Sequence, residues 1–235
     1  LMRDRPSDLN LAPYGEQAIQ PVPTQPASLG ALLATPLIVL RDVAKVPTFW
    51  ILFFSFYICG ASTNGLVQTH FISLCGDYGL AAVGAASMLA MMGLFDFAGT
   101  LASGWLSDRY DNRWLLFFYY GLRGLSLLYL PFSDFSIYSL SLFAIFYGLD
   151  WVATVPPTVK LTAQRFGPEK ANIVFGWIFA GHQLGAASAA LAGGLSRTAW
   201  QSYMPAFIAA GVLCLIGAAL VLLINRGRTP SLATA

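Results

Sequence analysis

The chain has 235 residues, of which 57% are hydrophobic and only 10% are charged, with a formal net charge of +2. Ordinary globular proteins carry roughly 25% charged residues, so this composition excludes a water-soluble fold. The small net charge gives no basis for binding nucleic acid, and the three cysteines are spaced too far apart for a zinc site or a disulfide framework.

Residues 1–40 are predicted to form a cytoplasmic linker. The beginning of this linker is rich in proline and poor in large apolar residues, a composition typical of disordered segments. The stretch 29–46 is apolar first and then charged at Arg41, Asp42 and Lys45. It is too short to cross a bilayer, which needs ~20 apolar residues, so we interpret it as an interfacial segment. A start within such a linker leads us to expect that the chain is part of a longer protein.

Six hydrophobic runs follow within residues 41–225, and each approaches or exceeds the ~20 residues that a transmembrane helix requires. We expect helices, because an open strand in lipid leaves its backbone polar groups unsatisfied. The predicted fold class is therefore all-α, a polytopic bundle of six transmembrane helices, followed by a cytoplasmic tail at 226–235. The predicted spans, numbered one to six, are 48–67, 81–106, 114–132, 137–156, 171–195 and 204–224.

The loops between the spans predict the orientation of the bundle. One set of loops and flanking segments holds nine Lys and Arg residues, whereas the opposite set holds only Arg197. Positive residues concentrate on the cytoplasmic side, so both termini are predicted to be cytoplasmic. We expect a plasma membrane, the inner membrane of a bacterium. The nine residues are Arg41, Lys45, Arg109, Arg113, Lys160, Arg165, Lys170, Arg226 and Arg228.

The fifth span repeats small residues at every fourth position, at Gly181, Gly185, Ala189 and Gly193. In lipid such a stripe lets two helix backbones approach closely, because tight packing replaces the hydrophobic drive that is lost there. Membrane helices are rich in glycine in general, but a register of four members favours a packing face.

Between spans two and three the sequence reads Gly104-Trp-Leu-Ser-Asp108-Arg109-Tyr-Asp-Asn-Arg113. This segment resembles the loop motif Gly-x-x-x-Asp-Arg-x-Gly-x-Arg of the major facilitator superfamily, with Asp111 in place of the second glycine. We expect Gly104 to permit close helix approach. We expect Asp108 to cap the next turn and to pair with basic groups on a neighbouring helix. Alternatively, a short arginine-rich loop would only set the orientation of the spans in the membrane.

The resemblance covers about residues 40–225 and implies two six-helix bundles that face each other across a central pathway. It assigns these spans to the C-terminal half, with spans one, two, four and five lining the pathway. The polar stretch 158–172 would be the loop between spans four and five, and Pro156 and Pro157 are expected to end the fourth span. The missing N-terminal half, or a second copy of the chain, is the expected protein partner.

Four ionisable residues lie inside the predicted spans, each ten to twelve residues from a charged loop residue. At 1.5 Å per residue all four lie about 15–18 Å deep, near the midplane of a ~30 Å hydrocarbon core. Charges inside a membrane are costly and usually mark substrate or ion pathways. These residues are Asp96, Arg123, Asp150 and His182.

Each member of this mid-depth layer has a structural alternative to a pathway role. We expect Arg123 to neutralise Asp96 on the adjacent span, whereas Asp150 has no obvious local cation and is expected to act in the pathway. His182 is either a proton carrier or a neutral side chain hydrogen-bonded between helices. Three nearby aromatic residues, which could shape an organic-substrate pocket or simply pack, are Tyr147, Trp151 and Trp177.

The layer predicts proton-linked secondary transport of a small solute. With His182 neutral it holds two acids and one base, and a carboxylate or imidazole that titrates near neutrality is what proton coupling requires. Asp150 or His182 would carry the proton, and Arg123 could attract an organic anion such as a monocarboxylate. The layer could instead bind a cation through Asp96 or Asp150. We expect no metal, no cofactor and no ATP binding, since the sequence has no phosphate-binding loop.

Two other functions remain open at this point. A pair of membrane aspartates also occurs in aspartyl intramembrane proteases, but their partner motifs are missing and Gly148-Leu-Asp150 is only a weak match. Rhomboid-type proteases need a Gly-x-Ser-Gly nucleophile, which the sequence lacks. A truncated, non-transporting membrane subunit is the second alternative. We therefore do not predict an enzyme, and we expect the lipid bilayer, a small-molecule substrate and protons to be the binding partners.

Overall fold

The computed structural model describes residue 6, residues 10–12 and residues 29–224. The tail predicted at 226–235 and most of the predicted linker lie outside these described residues. The chain divides into two compact units, 1–38 and 39–235, and all the membrane-crossing helices belong to the second. The described residues are mainly helical and contain no strand, which confirms the all-α prediction.

Nine α-helices are present in the described part of the chain, and six stretches of them are long and apolar enough to cross a membrane. The six predicted spans are therefore confirmed, although several run further than predicted. The observed spans are Pro47–Asp77, Ala82–Ser107, Asn112–Phe132, Ile137–Phe166, Pro168–Trp200 and Met204–Val221. The helices are α1 Leu29–Val43, α2 Pro47–Gly60, α3 Thr69–Asp77, α4 Ala82–Ser107, α5 Asn112–Tyr129, α6 Ile137–Asp150, α7 Val155–Phe166, α8 Pro168–Trp200 and α9 Met204–Val221.

The six spans pack mainly in three pairs. Span one packs against span five, span two against span four, and span three against span six. The outward face of α4 carries Leu94, Phe97 and Leu101, which are 62–69% exposed. Such an apolar surface would be unfavourable in water but suits contact with lipid.

The small-residue stripe of α8 packs against the first span, a partner that the sequence did not identify. A Cβ built on Gly185 would clash with the backbone carbonyl of Tyr57, and one built on Gly60 would clash with the backbone of His182. Glycines on both helices therefore bring the two backbones into direct contact. The other stripe members that face the first span are Gly181, Ala189 and Gly193.

The first span changes from α-helix to π-helix over Ala61–Gln68, between α2 and α3. Side-chain hydroxyls supply donors to carbonyls in and beside this segment. Ser62 Oγ donates to the Ile58 carbonyl at 2.8 Å, and the Tyr147 hydroxyl of span four donates to the Ser62 carbonyl at 2.7 Å. Backbone carbonyls at membrane depth need such partners, so Tyr147 holds the π-helical segment against the fourth span.

The fourth span is broken in its middle. Helix α6 ends at Asp150, the turn 151–154 follows, and α7 then begins, with Pro156 and Pro157 in its first turn. The prediction that these two prolines end the span is wrong, because the first turn of a helix tolerates proline: an N–H there would have no partner within the helix. We call residues 151–154 the break.

The predicted polar loop at 158–172 is also wrong. Helix α7 continues to Phe166 and α8 begins at Pro168, so only Gly167 separates the two helices. Gly167 has φ of 83°, a left-handed conformation that glycine adopts without steric strain. Polar residues of this stretch belong to helix ends, which sequence polarity alone does not distinguish from a loop.

Candidate functional site

Arg123 and Asp150 form an ion pair in the interior of the bundle. Arg123 Nε lies 2.6 Å from Asp150 Oδ1, and the two side chains are 0% and 3% exposed. The expected pairing of Arg123 with Asp96 is therefore wrong, and so is the expectation that Asp150 has no local cation. Depth along the sequence does not give the rotation of a helix about its own axis, and that rotation decides which carboxylate Arg123 meets.

The other N–H groups of Arg123 donate to the break and to the first span. Nη2 donates to the carbonyls of Asp150 and Trp151, at 2.5 and 2.9 Å, and Nη1 donates to Cys59 Sγ at 3.1 Å. The break removes helical partners from these carbonyls, so the guanidinium replaces them. The expected attraction of an anion by Arg123 assumed unused hydrogen-bonding capacity, and these contacts leave it little.

Asp96 reaches the same break from span two. Its Oδ1 accepts the Val152 N–H at 2.8 Å and the Thr100 hydroxyl at 3.2 Å. Ser103, also on α4, donates to the Ala153 carbonyl at 2.5 Å. Asp96 is half-buried and forms no ion pair within residues 29–224. Charged side chains of two spans thus satisfy the backbone of a third, which stabilises the break.

His182 joins this site through Cys59. The Cys59 sulfur accepts from Arg123 and lies 3.4 Å from Thr154 Oγ1. His182 is its neighbour on span five: the His182 ring lies 5.2 Å from that of Phe56, one turn before Cys59, and the His182 backbone packs on Gly60. Nδ1 of His182 lies 3.1 Å from Gln183 Oε1. Cys59 is buried, His182 is 8% exposed, and Gln183 is exposed. Arg123, Cys59, His182 and Gln183 thus form a contact chain of neighbouring polar side chains between the buried ion pair and the surface of the bundle.

Cys59 and Thr154 were not predicted to belong to the site, because neither carries a charge. One signal could have placed Cys59 there. Counted from Pro47 at 1.5 Å per residue, it lies about 18 Å into its span, the depth of the four ionisable residues. For Thr154 the sequence has no such signal, because its position depends on the break.

The predicted aromatic residues pack around the site. Tyr147 is fully buried, and its hydroxyl is used by the π-helical segment. The Trp151 ring is half-buried and meets Tyr147 edge-on, with 5.8 Å between ring centroids. Trp177 is also half-buried. A role for these three rings in a substrate pocket stays a prediction.

The loop motif forms a second polar cluster at the predicted cytoplasmic end. Asp108 Oδ1 lies 2.8 Å from Lys160 Nζ on α7, and Lys160 also donates to the Ser107 carbonyl. The expected pairing of Asp108 with a basic group on a neighbouring helix is therefore present. The expected close approach at Gly104 is not: a Cβ built there would meet no atom of the described residues within 4 Å.

The remaining motif residues organise the start of α5. The carboxylate of Asp111, which replaces the motif glycine, accepts the Arg113 N–H at 3.0 Å and so caps the helix. The expectation that Asp108 caps this turn is therefore wrong. Arg113 also donates to the Ile224 carbonyl at 2.8 Å, and the Arg109 guanidinium lies 4.1 Å above the Trp105 ring. The motif thus connects span three with the ends of spans two and six.

The Asp108–Lys160 pair predicts a pH-dependent contribution to stability. The hydrogen bond from Lys160, together with its charge, lowers the pKa of the Asp108 carboxyl below its ordinary value. Because the folded-state pKa is the lower one, the contribution is present above the unfolded pKa and is lost as pH falls through the folded pKa. We expect Asp108→Asn to lower the thermal unfolding temperature at pH 7 and to have no effect well below that lowered pKa.

The effect is measured as the thermal unfolding temperature of the detergent-solubilised protein, from pH 7 to a pH well below the lowered pKa of Asp108. The matched control is Asp42→Asn, which removes an exposed carboxylate whose nearest cation, Arg41, lies 3.9 Å away. An Asp108→Asn effect of equal size at both ends of the pH range would contradict the role of the charge.

Comparison with known proteins gives consistent matches. Residues 49–234 match the family described as the Major Facilitator Superfamily. The chain is 29% identical over 162 residues to an uncharacterized MFS-type transporter, YcxA, of Bacillus subtilis (strain 168), covering 66% of the chain and 38% of that protein. It is 26% identical over 155 residues to Monocarboxylate transporter 13 of Rattus norvegicus, covering 65% of the chain and 36% of that protein. The chain thus spans less than two fifths of the length of these curated relatives.

Proposed function

Because the chain belongs to the major facilitator superfamily, we propose that it supplies one half of a secondary transporter that moves a small organic anion together with protons. The aligned segments cover only 38% and 36% of the two transporter relatives, which supports a second bundle elsewhere in the assembly. The missing N-terminal half is the first candidate for this bundle, and a second copy of the chain is the other. Substrate then binds near mid-membrane between the bundles and is released by alternating access.

The observation that carries this proposal is the buried Arg123–Asp150 pair beside a broken membrane helix. Burying an ion pair costs more desolvation energy than hydrophobic side chains of the same volume would, so such a pair is weak as a source of stability. Broken helices at membrane depth are typical of transporter binding sites, where the freed backbone groups line a cavity. The same region therefore combines two features that favour transport over a purely structural bundle.

We assign the role of proton carrier to His182. Asp150 is held by Arg123, whereas the buried His182 lies beside Gln183, the exposed end of the contact chain. Histidine changes its charge between about pH 5 and 8, which suits coupling to a physiological proton gradient. Asp150 and Arg123 then form the fixed charge pair to which the titrating histidine is connected.

The charges of the layer favour an anionic substrate that follows the proton. With His182 neutral, the two carboxylates and one guanidinium leave one negative charge in excess, which disfavours an anion. Protonation of His182 cancels this excess, so the proton binds before the anion does. A small monocarboxylate suits this arrangement because it and one proton cross the membrane without net charge. The match to a protein named as a monocarboxylate transporter supports the same substrate class.

The orientation is also part of the proposal. Both ends of the bundle are placed on the cytoplasmic side, supported by nine positive residues against one in the two sets of loops. The Asp108–Lys160 pair then lies at the cytoplasmic mouth, and the Asp77–Arg197 pair, with Arg197 Nε 2.8 Å from Asp77 Oδ2, lies at the outer one.

Replacing His182 with glutamine is expected to abolish uptake driven by a pH gradient while leaving substrate exchange intact. Glutamine can keep a hydrogen bond to Gln183 but cannot carry a proton. The complete transporter is reconstituted into liposomes, and uptake of radiolabelled lactate, pyruvate and acetate is measured with and without an inward proton gradient. Counterflow of the same labelled anions without a gradient reports exchange alone.

The matched control is His70→Gln, which changes the other of the two histidines in the chain. His70 Nε2 lies 2.9 Å from the Ala190 carbonyl on span five, outside the contact chain, so gradient-driven uptake is expected to persist. Gradient stimulation that survives in His182→Gln would refute the assignment of the proton carrier. Uptake of organic cations in place of the three anions would favour recognition through Asp96.

A further inference from the structure

Cys59 lies next to three parts of the site at once. Its sulfur, buried on the first span, accepts a hydrogen bond from Arg123 Nη1 of span three at 3.1 Å. It lies 3.4 Å from Thr154 Oγ1 at the end of the break in span four. It is also a neighbour of His182 of span five, whose ring lies 5.2 Å from that of Phe56 and whose backbone packs on Gly60. Four spans therefore meet at a single thiol.

A thiol in this position has two alternative hydrogen-bonding states. The sulfur accepts from Arg123 in both, but its single hydrogen can be donated either to the His182 ring or to Thr154 Oγ1. When His182 is neutral and Nδ1 donates to Gln183 Oε1, the second ring nitrogen is an acceptor and the thiol can donate to it. When His182 is protonated, both ring nitrogens are donors, so the thiol hydrogen must turn towards Thr154.

Among the groups that surround His182, Cys59 is the one that connects it to the Arg123–Asp150 ion pair. From the first span the ring faces Phe56, at 5.2 Å between centroids, and the Gly60 backbone. From its own helix it faces Gln183 and stacks on Phe179. Within residues 29–224 no carboxylate forms an ion pair with His182. The charged groups beyond Cys59 are Arg123 and its partner Asp150.

Protonation of His182 would therefore act on Arg123 in two ways. It places a second positive charge on the far side of Cys59, which repels the guanidinium. It also turns the thiol hydrogen towards the break. Arg123 donates to the carbonyls of Asp150 and Trp151, so both effects change the strength of its hydrogen bonds to the break. A proton bound by His182 on span five can thus alter the conformation of span four.

We propose that Cys59 is the positioning residue that couples the protonation of His182 to Arg123 and to the break in the fourth span. This inference rests on the proposed proton-linked transport, and it adds the connection between the proton carrier and the broken fourth span. Cys59 binds neither the substrate nor the proton. Its role is to let two charged groups on separate helices respond to each other.

The test compares Cys59→Ala, which removes the hydrogen bonds, with Cys59→Ser, which keeps a donor and an acceptor. Cys214→Ala is the matched control, because Cys214 is equally buried but lies on span six. In liposomes containing the complete transporter, we expect Cys59→Ala to reduce the gradient stimulation of lactate or pyruvate uptake at least about fivefold, the lower end of ordinary coupling between sites. Counterflow should remain within about twofold of wild type. Cys59→Ser and Cys214→Ala should keep the stimulation.

A second measurement does not depend on transport. Hydrogen–deuterium exchange of the peptide containing residues 151–154, corrected for intrinsic rates, is compared between pH 5 and pH 8. We expect its protection to change with pH in the wild type and in Cys59→Ser, but not in Cys59→Ala or His182→Gln.

The two measurements separate failure of this inference from failure of the proposed function. Stimulation and pH-dependent protection that persist in Cys59→Ala overturn the coupling role and leave proton-linked transport standing. If Cys59→Ala and Cys59→Ser lose gradient stimulation and pH-dependent protection equally, Cys59 has a packing role only, and the coupling role is also overturned. A wild-type protein with no gradient stimulation contradicts the proposed function, and the exchange data then decide the coupling alone.

Discussion

Replacing Arg123 with methionine is expected to destabilise the folded bundle by about 3–5 kcal/mol, the usual cost of removing one partner from a buried ion pair. Arg123 is fully buried, and the change leaves the Asp150 carboxylate without its counter-ion. It also removes the donors to the carbonyls of Asp150 and Trp151, which the break deprives of helical partners. Methionine keeps most of the side-chain volume, so the loss reports charge and hydrogen bonds more than packing.

The double variant Arg123→Met with Asp150→Asn is expected to recover part of this loss, because no charge is then buried unpaired. The carbonyls at the break still lack their donor, so recovery should be incomplete. Arg197→Met is the matched control: it breaks the partly exposed pair with Asp77, which is expected to contribute about 1 kcal/mol or less.

Reversible unfolding in mixed detergent micelles, followed by tryptophan fluorescence, gives the free energies for this double-mutant cycle. Equal stability of Arg123→Met and Arg197→Met would show that the interior pair contributes no more than a surface one. A double variant as unstable as Arg123→Met would place the whole effect in the lost carbonyl contacts.

The sequence predicted that Asp96, Arg123 and Asp150 share one level, and the structure brings all three to the break, but their pairing was not predictable. Counting residues from charged loops places Asp96, Arg123 and Asp150 at similar levels, because a membrane helix rises by a nearly constant 1.5 Å per residue. Partner choice depends on how each helix is rotated, and that is fixed by packing between spans. Asp96 faces the Val152 N–H, and Arg123 faces Asp150.

Two departures from regular α-helix were missed because they depend on tertiary partners. The π-helical segment Ala61–Gln68 has its Ser62 carbonyl satisfied by Tyr147 of another span, so its stability is not a local property. The break in span four was not predicted, because Pro156 and Pro157 were expected to end that span. Proline is unfavourable in the interior of a helix, but its presence does not show whether a new helix starts there.

The small-residue stripe, in contrast, was predictable because the physics is local to one helix face. Glycine at every fourth position of a membrane helix has few uses other than close backbone packing. The structure adds that the contact is backbone to backbone: Gly185 lies against the Tyr57 carbonyl, and Gly60 against the backbone of His182.

Replacing Gly185 with alanine is expected to destabilise the bundle by more than about 3 kcal/mol, above the usual range for overpacking by one methyl group. The new Cβ would overlap the backbone carbonyl of Tyr57, so one entire helix must move. The matched control is Gly194→Ala on the same helix, where a Cβ meets nothing within 4 Å in the described part of the chain. Alanine favours helix by up to about 1 kcal/mol over glycine, so this control should be neutral or stabilising.

A rescue experiment separates backbone contact from side-chain contact within the stripe. A Cβ on Gly181 would meet the Phe53 ring at 2.9 Å, and a ring can be truncated, so Phe53→Ala should partly rescue Gly181→Ala. Tyr57→Ala should not rescue Gly185→Ala, because every residue at position 57 retains the carbonyl. Rescue in both pairs would contradict the backbone contact. Since Gly60 and Gly185 bracket the level at which Cys59 meets His182, separating the two spans should also weaken the coupling of uptake to protons.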